Sequence, residues 1–143
     1  MYCTITDLTK IVSEQDMIEL TDDMIPAETI IAANVDKAIS DASEMIDGYL
    51  RSRYSLPLSP VPGLIATLAC DIAVYRLYAR RAKLIPPEGV SERYKNALKL
   101  LVNIQKGELE LGAGAAATPE ISEAAGTTDA APRIFTRDTM RNF

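Results

Sequence analysis

The chain has 143 residues, 48% of them hydrophobic, 24% charged and 6% aromatic, and carries a net charge of −5. That length holds one domain, or one domain and a tail, and no apolar run approaches the roughly 20 residues that cross a bilayer. Histidine is absent and only two cysteines occur, which excludes histidine-based catalytic triads, imidazole zinc sites and any disulfide framework.

The opening Met1-Tyr2-Cys3-Thr4 lacks the basic-then-apolar order of an export signal, so an intracellular protein is expected. Two short helices follow. Thr6-Asp7 precedes Leu8, Ile11 and Val12, and Ser13-Glu14-Gln15-Asp16 has the spacing of a capping box, with Asp in place of Glu or Gln. Thr21-Asp22-Asp23 and Pro26 break the pattern. From about Glu28 to Tyr54, Ile31, Val35, Ala38, Ile39, Ala42, Met45, Ile46, Tyr49 and Leu50 recur at three- and four-residue steps and predict a long amphipathic helix. Its acidic residues read as a solvated face, because they lack the oxygen spacing of a calcium loop.

Pro57, Pro60 and Pro62 make residues 55–63 a stiff connector. Leu64 to Lys83 is apolar around nearly its whole circumference and predicts the central helix, with Arg80, Arg81 and Lys83 suiting its C-terminal dipole. Cys70 within it reads as a small buried hydrophobe. A last helix runs from about Val90 to Lys106 and stops at Gly107. The fold class is therefore mainly α, a small bundle of four to five helices over residues 1–107. An extended Ala/Gly-rich linker and a C-terminal docking arm occupy 108–143, with a short β element allowed around 108–111 and 133–136.

Asp71 interrupts the central helix. A buried carboxylate without a partner is costly, so Asp71 is expected to reach water or a cation, with Arg51, Arg53 and Arg76 as candidates for a structural ion pair. No catalytic base stands beside it, and no catalytic, cofactor or metal residues are assigned. The chain closes on Arg133-Ile134-Phe135-Thr136-Arg137-Asp138-Thr139-Met140-Arg141-Asn142-Phe143, which holds both phenylalanines. Ordering such a segment costs about 1–2 kcal/mol per residue, which buried aromatic and aliphatic side chains at about 1.5–3 kcal/mol each help to offset only by docking. Ile134, Phe135, Met140 and Phe143 are the expected apolar contacts with a partner, and Arg137 and Arg141 the expected partners of its carboxylates.

Several of these stretches, taken in order, resemble one family. They are Tyr2-Cys3-Thr4-Ile5-Thr6-Asp7-Leu8, Ile46-Asp47-Gly48-Tyr49-Leu50, Arg53-Tyr54-Ser55-Leu56-Pro57-Leu58 and Asp71-Ile72-Ala73-Val74-Tyr75-Arg76-Leu77-Tyr78. Arg93-Tyr94-Lys95-Asn96-Ala97, Gly107 and Phe135-Thr136-Arg137-Asp138 complete the set. In this the chain is similar to the Mu gp36-like proteins of tailed phages. The resemblance implies a head–tail connector, also called a head-completion or adaptor protein, made in the bacterial cytoplasm and built into the neck of the virion. It implies a homo-oligomeric ring of twelve copies beneath the portal protein, which extends the DNA channel and docks the tail terminator. It also implies no cofactor, no membrane, and DNA that passes without specific binding. The acidic balance agrees, since like charge lets DNA slide without being held, and on that reading Arg80, Arg81 and Lys83 serve protein contacts.

Two other classes compete. A small helical DNA-packaging or regulatory protein, of small-terminase type, needs a basic recognition face, and the sequence offers only the short Arg80–Lys83 cluster. An enzyme without histidine, a Gly-rich phosphate loop or a nucleophile motif would have to rest on Asp71.

Overall fold

The structure is a computed structural model that describes residues 1–81 and 83–112. Five helices follow in order: α1 (Ile5–Thr9), α2 (Glu14–Thr21), α3 (Ala32–Leu50), α4 (Gly63–Arg80) and α5 (Glu88–Lys106). The mainly helical class is as expected, and no helix among the described residues is long and apolar enough to cross a membrane.

The ends of the helices are set by side chains, and several differ from the periodicity. Helix α1 starts before Thr6-Asp7, because Thr4 caps it: Thr4 Oγ1 accepts from Asp7 N at 3.4 Å, and Asp7 Oδ2 accepts from Thr4 N at 3.1 Å. At α2 the expected box is half formed. Ser13 Oγ accepts from Asp16 N, but the Asp16 carboxylate takes the Ser13 hydroxyl, not its N–H. Helix α3 begins at Ala32, later than Glu28, and the segment before it is tied back to the end of α2. Asp22 Oδ2 accepts from Glu28 N and Thr29 N, and Thr21 Oγ1 accepts from Ile31 N at 3.0 Å. At its far end Arg53 N and Tyr54 N both donate to Leu50 O, a tight turn that swings Tyr54 inward.

Helix α4 is the centre, as its all-round apolar surface requires. Ile65, Leu68, Ala69, Ile72, Ala73 and Leu77 are buried between α3 and α5, and α1 and α2 cover the remaining side with Leu8, Met17 and Leu20. Ala42 on α3 and Ala69 and Ala73 on α4 are fully buried; such small residues let the two long helices pack closely. Tyr75 and Tyr94 stack across α4 and α5 with ring centroids 4.0 Å apart.

The β element considered at 108–111 does not form. Gly107 takes a left-handed φ of 82°, and Glu108 N and Leu109 N fold back onto Asn103 O, which satisfies carbonyls at the end of α5. The alternation is real, but it serves a strap: Leu109 and Leu111 pack on the core while Glu108 and Glu110 face water. Packing thus continues past Gly107 to Leu111. The 133–136 element lies outside the described residues.

Candidate functional site

The bundle has two poles. One joins the α2–α3 loop (22–31) to the α4–α5 loop (81–87); the other joins the 51–62 connector to the strap after α5.

The first pole is held by charge. Arg80 Nη1 and Nη2 donate to Asp23 Oδ2 and Oδ1, each at 2.8 Å, and Nη2 also reaches Leu20 O and Thr21 O. Arg81 donates to Asp22 O and to Asp23 Oδ1. Asp22 itself is buried and accepts from the backbone N–H of Met24, Glu28 and Thr29. These N–H groups hold its carboxyl below the ordinary value, and the Arg80 guanidinium does the same for Asp23. So Arg80 and Arg81, expected to meet another protein, are engaged within the chain. The staple holds side by side two loops whose apolar tips stand in water: Met24 is 72% exposed, Ile25 97%, Leu84 39% and Ile85 90%.

The second pole is closed by apolar groups. Tyr54 and Leu58 are buried, Leu56, Leu109 and Leu111 are half-buried against the core of which these two are part, and Leu111 N donates to Tyr54 Oη at 3.2 Å.

Asp71 lines a cavity of about 130 Å³ with Ser13, Asp16, Tyr78, Val90 and Arg93. Burial pushes its carboxyl above the ordinary value, and the Arg93 guanidinium opposes that. The pairings considered for Asp71 are absent: among the described residues no ion pair links it to Arg51, Arg53 or Arg76. Arg51 is exposed at the end of α3. Arg53 lies over Gly107, where a Cβ would sit 1.9 Å from Nη1. Arg76 has a buried Nε without a protein partner. The reason is geometric: Arg93, one helix away on α5, shares the cavity with Asp71, and sequence spacing gave no hint of it. The cavity has room for a few waters, and the Ser13 hydroxyl and Asp16 carboxylate in its lining are bonded to each other at 2.7 Å at the start of α2.

Cys3 and Cys70 are both buried, as expected for Cys70. Burial, followed by the neighbouring Cys70, pushes the Cys3 thiol up to about 12, and burial raises Cys70 too, the opposite of a reactive thiolate. Burial and the hydrogen bond to Asp47 push Tyr2 up to about 12. Among the described residues no group of three His, Cys, Asp or Glu is placed to hold a metal ion. The six C-terminal contact residues, Ile134, Phe135, Arg137, Met140, Arg141 and Phe143, lie outside the described residues.

What the described residues define is a small all-helical protein with two capped poles and a modest polar cavity. Its sequence matches the family described as Bacteriophage Mu, Gp36 over residues 2–129, so the match ends before the Phe135–Asp138 stretch. It is 31% identical over 117 residues to the Mu-like prophage FluMu protein gp36 of Haemophilus influenzae, covering 82% of this chain and 80% of that protein. It is 32% identical over 107 residues to Gene product J of Escherichia phage Mu, covering 73% and 72%. The chain belongs to the Mu Gp36 family of phage proteins.

Proposed function

We infer that the protein is a non-enzymatic structural component of the virion, a head–tail connector that assembles as a ring under the portal, extends the DNA channel and docks the tail terminator. The family membership carries this reading, together with the resemblance stated above. The distribution of charge supports it. Residues 1–50 hold eleven Asp and Glu against two Lys, a net −9, whereas residues 51–112 hold five acids against ten bases, a net +5. Acids such as Asp36 and Glu44 on α3 and lysines such as Lys95 and Lys99 on α5 are exposed. A surface acidic on one flank and basic on another suits head-to-tail contacts between identical copies, and such contacts form a ring where the rotation from copy to copy closes.

The test is to add the purified protein to capsids that carry a portal but lack this protein, and to image the vertex by electron microscopy. A closed ring at the portal exit, twelve copies in number, is the expected result; folded protein that does not bind would overturn the assignment. The DNA-packaging or regulatory reading draws on one observation, the exposed Lys95, Lys99 and Lys106 of α5. A gel-shift assay at physiological salt separates the two, because a recognition face retards duplex DNA and a connector does not.

A further inference from the structure

The pole that carries Met24, Ile25, Leu84 and Ile85 invites a specific occupant. Isolated exposed apolar residues are ordinary, but here four sit on two loops that Arg80 and Arg81 tie together through Asp22 and Asp23. The bases of the two loops are thus braced against each other, and a pre-ordered surface loses less entropy on binding. Glu28 on the first loop and Glu88, the first residue of α5 just after the second, are exposed and engaged in no ion pair among the described residues.

The chain itself contains a segment of matching chemistry. Residues 133–143 alternate Ile134, Phe135, Met140 and Phe143 with Arg133, Arg137 and Arg141, against the single acid Asp138. The described chain leaves the bundle at Gly112, beside Tyr54 at the opposite pole. Helix α5, with 19 residues, separates the two poles by about 28 Å. Residues 113–132 reach at most about 65–70 Å when extended, enough to travel the length of a bundle and step sideways by the roughly 10 Å width of a helix.

We propose that the Met24/Ile25/Leu84/Ile85 pole receives residues 133–143 of a neighbouring copy, with Ile134, Phe135, Met140 and Phe143 covering the apolar tips and Arg137 and Arg141 meeting Glu28 and Glu88. The inference rests on the connector reading for its choice of neighbour, because a segment handed from copy to copy links a ring where one folded back on its own bundle links nothing. It makes the charged staple a brace for an assembly contact, and it gives the apolar loop tips a role that the single chain leaves open.

The test uses the full chain, free in solution at high concentration, with p-benzoylphenylalanine in place of Ile85 and equal amounts of heavy- and light-isotope protein. After irradiation and digestion, the expected crosslinks join position 85 to residues 133–143, and about half of them pair a heavy with a light peptide, since random pairing of two equal populations mixes half the time. Crosslinks confined to one chain, crosslinks to another segment, or none above those from the same probe at Val61 on the opposite pole would each overturn the proposal. A second measurement is independent of the probe. Ile25→Asp with Ile85→Asp should keep the helical circular dichroism and abolish crosslinking from a probe placed at Phe143, whereas undiminished crosslinking would overturn it. The vertex imaging of the unmodified protein reads the connector assignment separately. A ring without the crosslinks sinks only this inference, and crosslinks without a ring sink only the connector assignment.

Discussion

At the pole beyond the C-terminus of α3 the chain seals itself with an aromatic ring and leucines, whereas at the opposite pole it ties two loops together with charges and leaves their tips in water. Tyr54, Leu58, Leu109 and Leu111 exclude solvent from the ends of α3 and α5; Arg80 and Arg81 do the equivalent work on Asp22 and Asp23 at partly exposed sites. The two solutions differ in energy and in use. Apolar closure contributes in proportion to the area it buries, whereas exposed ion pairs contribute little each and weaken with salt. The closed pole still leaves Val61 and Leu64 exposed to 39% and 37%, much as Leu84 is at the other, so the contrast rests on Met24, Ile25 and Ile85, at 72%, 97% and 90%.

The largest effect expected from breaking this contrast is at Tyr54. Tyr54→Ala should cost about 3–5 kcal/mol, the range for removing a buried ring, measured as a fall in the urea midpoint at unchanged slope. Tyr54→Phe isolates the hydroxyl that accepts from Leu111 N and should cost about 1 kcal/mol. Next comes Gly107→Ala, at about 1–2 kcal/mol, because an alanine must hold a φ of 82° and displace the Arg53 guanidinium. A variant as stable as the parent would show that the strap re-forms without the left-handed turn.

Arg80→Ala should cost less, about 1 kcal/mol at low salt, with its signature local: faster amide exchange over residues 22–31, while α3 and α4 keep their protection. The pH dependence follows from Asp23. Its folded pKa is depressed, so the stabilisation is present above the ordinary value of 3.8 and is lost as pH falls through the depressed value. Parent and variant should therefore differ at neutral pH and converge in acid. A gap that persists at pH 2 would assign the effect to the bonds from Arg80 to Leu20 O and Thr21 O.

How far the sequence reveals this differs between local and distant features. The amphipathic stripe of α3, the apolar girth of α4 and the stop at Gly107 are encoded within a few turns of helix, and they stand where periodicity places them. The staple is encoded 57 residues apart, between Asp23 and Arg80, and nothing at either site names the other; Thr21-Asp22-Asp23 reads as a helix break, and Arg80-Arg81 as dipole complement or partner contact. The segment before α3 is another distant feature, since Asp22 and Thr21 accept from the N–H groups of Glu28, Thr29 and Ile31. Leu109 and Leu111 show the converse: their alternation is legible, but a strand needs a neighbour to pair with, and the fold supplies Tyr54 and the core.

The smallest effect is expected at Asp71, and its sign separates two accounts of a polar residue in an apolar helix. If Asp71 were held by a close ion pair, its pKa would fall and Asp71→Asn would destabilise at neutral pH. In the bundle burial raises the pKa instead, with Arg93 only partly opposing it. A raised folded pKa means that the native state keeps the proton to higher pH than the unfolded chain. Stability is then greatest below the ordinary carboxylate value of 3.8 and declines as pH rises through the folded value. Asparagine, which never ionises, escapes that decline. Asp71→Asn should match the parent at pH 3 and equal or exceed its Tm at pH 7, by no more than about 3 °C. A lower Tm at pH 7 would mean that the attraction of Arg93 outweighs the loss of solvent, and would restore Asp71 as the structural partner of an arginine on α5 instead of one on α3 or α4.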